Sequence, residues 1–401
     1  MLATAVAAAT TVLTLAGFGY YLLALLSARS FGRASRRVLP IYEPPVSILK
    51  PVKGLDPEIY ASFASHCAQQ YGGDYELIFG VNNLSDPAVE AVEQLREEFP
   101  ERNIQLVECP EVLGTNGKVS NLVQMLPHAH YEHIVINDSD ILVSPFYLRR
   151  VMAAFQAPDK KQKPGRRGLV GMVTVPYRGK AHATLGSKME ALGISTDFMA
   201  GVLTARMLEG GIRFGLGSTL AFSREALEAI GGLLPLVDYL ADDYESGARV
   251  YATGYDVALS SEVVDTFVPA YRFPQFLAHQ IRWSRSTRDS RKWGYAGVAF
   301  TFGLPWAFLN MIAWGFSLPS VALFVMVLVA RTALALSVGV GIVGDGQVLR
   351  DWWLLLPRDL VALGIWAWSF AGDTVVWRGR RFVLKDGKLM DLPSGQMRSA
   401  P

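Results

Sequence analysis

Charge is scarce in this chain, and cysteine is nearly absent. Of its 401 residues, 18% are charged and 51% hydrophobic, an apolar balance for a soluble protein. The net charge is only +2, so no overall positive field steers the chain toward nucleic acid. The two cysteines, Cys67 and Cys109, lie in a segment that reads as cytoplasmic, which argues against a disulfide framework. Neither has a spacing that suggests zinc or a nucleophile, and both read as packing residues. Between Leu2 and Leu26 charge is missing altogether. At about 1.5 Å per residue this run covers a hydrocarbon core of ~30 Å. A cleaved signal peptide would begin with basic residues and have a shorter apolar core. Here the positive charges come afterwards, at Arg29, Arg33, Arg36 and Arg37. Residues 1–28 therefore read as an uncleaved anchor, with the N-terminus outside and the following chain in the cytoplasm.

From Pro44 onward the texture is that of an α/β domain, expected over residues 40–290. Val46 to Lys50 reads as a strand with Pro51-Val52-Lys53-Gly54 as its exit loop, and Asp56 to Gln70 as a helix capped near Asp56. Tyr75 to Val81 and Ile104 to Val107 read as strands, Ala88 to Phe99 and Lys118 to Met125 as helices. This alternation predicts a parallel, doubly wound sheet whose ligands sit at the carboxyl ends of the strands. Lys53, Asp86 and Asp138 all fall at such ends. Gln156 to Gly168 reads as an exposed basic loop, and Leu169 to Val175 as a further strand. Tyr177 to Met207 fits a helical lid, an amphipathic surface contacting lipid, or ordinary core.

Two acidic stretches carry the chemistry. Ile134 to Asn137 is an apolar strand that runs into Asp138-Ser139-Asp140. Two carboxylates at that spacing can reach one hard cation, although an Asp-rich turn has the same appearance. Tyr239-Leu240-Ala241-Asp242-Asp243-Tyr244-Glu245 places three acids beside apolar neighbours. It reads as a site or as the acid-decorated start of a helix. The run His279-Gln280-Ile281-Arg282-Trp283 opens a basic stretch whose later members, Arg285, Arg288, Arg291 and Lys292, also suit the flank of a membrane segment.

Apolar segments follow at about 296–316, 318–343 and 352–371, within a membrane region expected over 294–372. A basic tail, residues 373–401, carries Arg378, Arg380, Arg381, Lys385 and Lys388. Three crossings would put that tail outside, against its charge. Two full crossings and one re-entrant or interfacial segment are therefore expected, with Pro305 and Arg358-Asp359 as the candidate defects and the tail cytoplasmic.

Asp86, Asp138 with Asp140, Asp243 and Arg282-Trp283 together resemble the signature of the processive and lipid-directed inverting glycosyltransferases (family 2/21 type). Within that group the chain looks like the ceramide glucosyltransferases and their bacterial relatives. The likeness runs nearly end to end, through Ile48-Leu49-Lys50-Pro51-Val52-Lys53-Gly54-Leu55-Asp56-Pro57, Ser85-Asp86-Pro87-Ala88 and Lys118-Val119-Ser120-Asn121-Leu122. It continues through Asp242-Asp243-Tyr244 and Val376-Trp377-Arg378-Gly379-Arg380-Arg381. Bacterial enzymes that add N-acetylglucosamine to hopanoids look at least as similar.

The resemblance implies a nucleotide-diphospho-sugar transferase fold (GT-A, Rossmann-like) on the cytoplasmic face of a bacterial inner membrane, with transmembrane helices at both ends. It assigns Asp86 to the uridine of a UDP-sugar, Asp138 and Asp140 to Mg²⁺ or Mn²⁺, and Asp243 to general-base duty on an acceptor hydroxyl. Arg282 and Trp283 match the family's terminal motif, where a guanidinium meets the diphosphate and an indole stacks. His279 stands where that motif begins with Gln or Arg. Asn82-Asn83 stands where relatives often carry acids. Lys53, Lys118 and Asn121 are further candidates for the donor, and Lys50 for phosphate. The function implied is transfer of glucose or N-acetylglucosamine to a hydroxyl of a membrane lipid such as ceramide or a hopanoid. The alternatives are a polysaccharide synthase and a nucleotide-binding transporter or scaffold. No motif speaks to oligomeric state.

Overall fold

The computed structural model describes residues 1–157, 165–377 and 379–391. In chain order its strands are β1 (Val46–Pro51), β2 (Tyr75–Val81), β3 (Asn103–Glu108), β4 (His133–Asn137), β5 (Ile141–Leu142), β6 (Val170–Thr174) and β7 (Tyr177–Ala181). They continue with β8 (Thr219–Ser223), β9 (Asp256–Leu259), β10 (Val264–Val268), β11 (Thr374–Trp377), β12 (Arg380–Lys385) and β13 (Lys388–Asp391). Seven of them form the central sheet in the order β3-β2-β1-β4-β8-β6-β9.

Every residue of β1 and β2 is buried, as expected of parallel strands covered on both faces. β1 pairs in parallel with β2 and with β4. The chain steps outward through β2 and β3 and then returns to the other side of β1. That reversal is a topological switch point, and the crevice it opens at the strand carboxyl ends is where α/β sheets bind ligands. Lys50, Lys53 and Asp138 border it.

The fully parallel sheet expected from sequence needs correction. β8 runs antiparallel to both β4 and β6. It follows the loop 210–218 rather than a crossover helix, and strand direction leaves no trace in an apolar run as short as Thr219-Leu220-Ala221-Phe222. A second sheet, β5-β10-β7, lies beside the first. It contains a strand, β7, in the stretch read as lid or core. The rest of that stretch is helical, Leu185–Gly193 and Met199–Glu209, joined by a π-turn over Ile194–Phe198.

Two helices, Ala3–Ser35 and Leu318–Val340, are long and apolar enough to cross a membrane by length and composition. The segment between them is broken, with Lys292–Thr301 and Gly303–Ala313 meeting at 54°. Tyr21 Oη accepts from Leu304 N at 2.9 Å, and the Asn310 amide bonds the Thr11 hydroxyl at 2.7 Å. The N-terminal helix and Gly303–Ala313 therefore run antiparallel. Leu318–Val340 returns toward the α/β domain, where Arg178 Nη1 donates to the carbonyls of Val343 and Gly344 at 2.9 and 2.8 Å. The stretch 292–343 is a helical hairpin that leaves the domain and comes back.

The last apolar segment forms only the 15-residue helix Leu355–Ser369. Its Asp359 carboxylate takes Arg331 Nε at 2.7 Å and Arg358 Nη1 at 3.1 Å, and Arg358 also meets Asp197 at 2.9 Å. The charges read as defects are thus a buried cluster joining the hairpin to the π-turn.

Within the basic tail, β11, β12 and β13 form an antiparallel meander. Arg378, residues 392–401 and 158–164 of the basic loop lie outside the described residues.

Arg331 is only 2% exposed, so removing its partner strands a cation. Asp359→Ala should cost roughly 3–5 kcal/mol of stability, whereas replacing both partners by Arg331→Met with Asp359→Leu should recover most of it. Thermal unfolding of the three proteins checks this order.

Candidate active site

The site is assembled where β4 ends. Asp138 follows the buried Asn137, whose Nδ2 is spent on Tyr147 Oη, Thr219 Oγ1 and Ser218 O at 2.9 to 3.0 Å. This fixes the strand exit. Beneath it lies Lys50, fully buried, with Nζ donating to the Asp138 carbonyl at 3.0 Å. Burial pushes the Lys50 ammonium down to about 7, with Asp140 and Asp138 opposing.

Lys118 enters from the first turn of helix Gly117–Met125. Asn116 caps that helix, its Oδ1 accepting from Lys118 N and Val119 N at 3.1 and 3.2 Å. The Lys118 ammonium lies 2.7 Å from Asp138 Oδ1 and 3.5 Å from Asp242 Oδ2. Burial works against its charge, but Asp138 and Asp242 outweigh that and hold it above the usual lysine range.

Asp243 arrives on the first turn of helix Asp242–Ala252. Its Oδ1 accepts from Tyr244 N at 2.8 Å. The far side of this space is Gly217, where an added Cβ would stand 3.1 Å from Asp243 Oδ2 and 3.9 Å from Asp138 Oδ2. Two carboxylates distant in sequence therefore face one point, and a side chain at 217 would occupy it. Burial, then Asp242, push the Asp243 carboxyl up to about 6 against the pull of Lys118.

Asp140 is held by Thr266 Oγ1, and burial followed by Asp138 raises it to about 6 as well. Asp138 and Asp140 are all-oxygen donors in surroundings with more carboxylate than cation, which fits a hard divalent ion. Among the described residues no group of three or more His, Cys, Asp or Glu could hold a metal. These two side chains would therefore bind an ion only with further oxygens, such as those of a diphosphate or water.

The terminal motif lies on helix Phe273–Ser290. His279 Nδ1 lies 3.0 Å from Glu190 Oε2, and its ring packs on Tyr271 and Trp283 at centroid distances of 5.4 and 4.9 Å. Tyr271 connects this motif to the acids. Burial raises its hydroxyl to about 12, Glu190 adds to the shift, Arg282 opposes it, and Asp140 and Asp56 contribute. Arg282 and Asp140 thus both bear on the charge of this hydroxyl.

Other expected residues stand apart. Asp86, at the end of β2, is separated from β4 by β1; both its oxygens accept from Gly54 N at 3.0 Å, and Oδ1 also from Ala88 N at 2.9 Å. It fastens the β1 exit loop, on which Lys53 is exposed. Asn121 is buried, and its amide is paired reciprocally with Asn82 at 3.0 and 3.4 Å. That pairing puts it in the support of the β2 exit.

Several neighbours of the site went unnoticed in the sequence. Asp56 is no helix cap: the helix begins at Ile59, and Asp56 accepts from Ser139 Oγ between the two metal candidates. Tyr177 is buried where Asp243, Asp138 and Glu190 all act on its hydroxyl, which burial in the first place holds well above its usual range. Glu190 completes the set. Asp242, already read beside Asp243 as one of three clustered acids, joins them through Lys118.

A family model described as glycosyl transferase family 21 matches residues 9–390. Ceramide glucosyltransferase 3 of Caenorhabditis elegans is 28% identical over 247 residues, covering 60% of this chain and 50% of that protein. Ceramide glucosyltransferase 1 of the same organism is 25% identical over 218 residues, covering 54% and 44%. The chain thus spans about half the length of the curated relatives it matches. Among solved structures, a mannosyltransferase from Pyrobaculum calidifontis in complex with GDP-mannose and Mn²⁺ superposes with a TM-score of 0.53. It is 22% identical and covers 90% of this chain and 99% of its own. That likeness establishes the GT-A fold.

Because Asp140 and Asp243 titrate near 6 instead of the ordinary 3.8, the folded state binds more protons than the unfolded state between those values. Stability without metal should therefore fall as pH rises from about 4 to about 6. Mn²⁺ or Mg²⁺ at pH 7 should raise the Tm, and both effects should shrink in Asp140→Asn. Calorimetric scans across pH check the sign.

Proposed function

The chain belongs to glycosyl transferase family 21, and from that premise we propose that it is a membrane-bound inverting enzyme acting on a lipid. It moves a hexose, glucose or N-acetylglucosamine, from a UDP-sugar to a hydroxyl of a membrane lipid such as ceramide or a hopanoid. The observation that carries this reading is the approach of Asp138 and Asp243 to one point above Gly217, at the switch point of the sheet.

Position supports each proposed role. Asp243, with a carboxyl near 6, is ionised at neutral pH yet basic enough to take a proton from an acceptor hydroxyl as it attacks the anomeric carbon. One base and direct displacement invert the centre and give a β-linked product from an α-linked donor. The proton ends on Asp243, and the bond to the diphosphate breaks. Asp138 and Asp140 would hold a divalent cation, which would supply positive charge for the departing diphosphate. Lys118, already beside Asp138, adds a fixed ammonium to the same region. Arg282 and Trp283 supply a guanidinium for phosphate and an indole for stacking, while Asp86, with Lys53 near it, serves the nucleoside side through the β1 exit loop.

Delivery of the acceptor from the bilayer plane is supported by the two apolar helices and by the hairpin 292–343, with the α/β domain on the cytoplasmic side following Arg29, Arg33, Arg36 and Arg37. The meander stays with the domain, since Leu389 N donates to Asp238 O at 2.8 Å. An even number of crossings between them satisfies this geometry, with Leu355–Ser369 lying at the interface.

Mass spectrometry after incubating the purified chain with UDP-sugars and extracted membrane lipids should show a monoglycosylated lipid. Asp243→Asn should lower turnover by about 10²–10⁴-fold with the fold intact. An oligosaccharide product would point instead to chain extension, and full activity in Asp243→Asn would remove the base from the mechanism.

A further inference from the structure

We propose that the C-terminal meander is part of the catalytic apparatus, and that Asp238 and Asn116 are positioning residues through which it sets the places of Lys118 and Asp243. The inference deepens the function proposed above and rests on that reading of the site.

The meander grips the segment that leads into Asp243. Leu389 N donates to Asp238 O at 2.8 Å, Leu240 N donates to Gly387 O at 3.1 Å, and Tyr239 and Lys388 pair as an antiparallel bridge. Leu240 is sealed against Val375, Phe382, Leu384 and Leu389 in a small apolar cluster. Helix Asp242–Ala252 has no side-chain cap of its own. Its start, and with it Asp243, is therefore fixed by the residues held against β13.

The same contacts extend to Lys118. Asp238 Oδ1 accepts from Thr115 N and Thr115 Oγ1 at 3.0 and 3.1 Å, and Thr115 Oγ1 also reaches Leu389 O at 3.3 Å. Asn116, fully buried, donates from N to Val237 O at 2.7 Å and from Nδ2 to Tyr239 O at 2.8 Å and Asp242 Oδ1 at 3.3 Å. Its remaining oxygen caps the Lys118 helix. One polar network thus runs from Leu389 to the lysine that contacts Asp138. A satisfied, partly buried network of this kind favours a single arrangement and weakens when one member is removed.

A second attachment leads to the terminal motif. Gly387 N donates to Asp289 Oδ2, and Arg288 pairs with Asp373. Both Asp289 and Arg288 lie on the helix that carries His279, Arg282 and Trp283. The meander, reached only after the chain has left for the hairpin and returned, therefore ties together the three helix segments that surround the acids.

The test compares the full chain with Asp238→Ala and Asp238→Asn. Asn retains an oxygen acceptor for Thr115, whereas Ala removes it. Asp238→Ala should lower kcat about tenfold to a hundredfold, with the acceptor KM within about threefold, while Asp238→Asn stays within about threefold of the parent. Amide exchange at 115–119 and 239–244 should accelerate about tenfold in Asp238→Ala, with β1 and β4 unchanged. Unchanged exchange at those segments, or acceleration spread equally over β1 and β4, would overturn the inference. A parent chain that transfers no sugar would sink the functional reading instead, and the exchange pattern would still decide this one.

Discussion

An excess of clustered carboxylate over cation is the constraint on which this structure turns. Asp56, Asp138, Asp140, Asp242 and Asp243 gather at the switch point, faced by Lys118 and by a Lys50 whose charge burial weakens. Coulomb repulsion among such groups is far stronger in a low-dielectric crevice than in water. The scaffold holds the acids together nonetheless, through the Asn137 cluster under β4, the Asn116 cap and the grip on residues 238–240. Burial in the first place, and repulsion from the neighbouring acid in the second, raise two of the carboxyls to about 6. Only added positive charge or protons relieve it, which suits a site meant to receive a cation together with a diphosphate.

The apolar C-terminal part carries its most buried charges differently, as matched pairs. Arg331, Arg358, Asp197 and Asp359 form a closed set in which each guanidinium has a carboxylate. The set joins the returning helix, the short helix after it and the π-turn at 194–198. Phe198 in that turn packs on Tyr177 at a centroid distance of 5.3 Å, and Tyr177 is the buried hydroxyl among the acids. The catalytic crevice and the apolar helices are therefore one packed unit. Such contiguity suits an acceptor that stays anchored in lipid while its hydroxyl reaches the site.

Much of this could be read from the residues because its signals are local. Apolar runs ending in Lys53, Asp86 and Asp138 marked strand exits, and the alternation of strands and helices marked the α/β sheet. The convergence of Asp138 and Asp243 came from a family likeness, since no local pattern links positions so far apart. What was missed depends on tertiary placement. Nothing in Thr219–Ser223 declares its direction, and Asp56 looks like a cap until Ser139 is seen beside it. Glu190 and Tyr177 sit in sequences that resemble ordinary core. The meander was hidden by its charge: Arg380, Arg381, Lys385 and Lys388 made a tail of what is a sheet, whose apolar positions Phe382, Leu384 and Leu389 face inward.

The most direct test of the central claim is calorimetric titration of the full chain with UDP, with and without a divalent cation. Charge excess at Asp138, Asp140 and Asp243 predicts binding that is strong with Mn²⁺ or Mg²⁺ and at least tenfold (~1.4 kcal/mol) weaker when the ion is chelated. Equal affinity in both conditions, or no binding in either, would contradict the account.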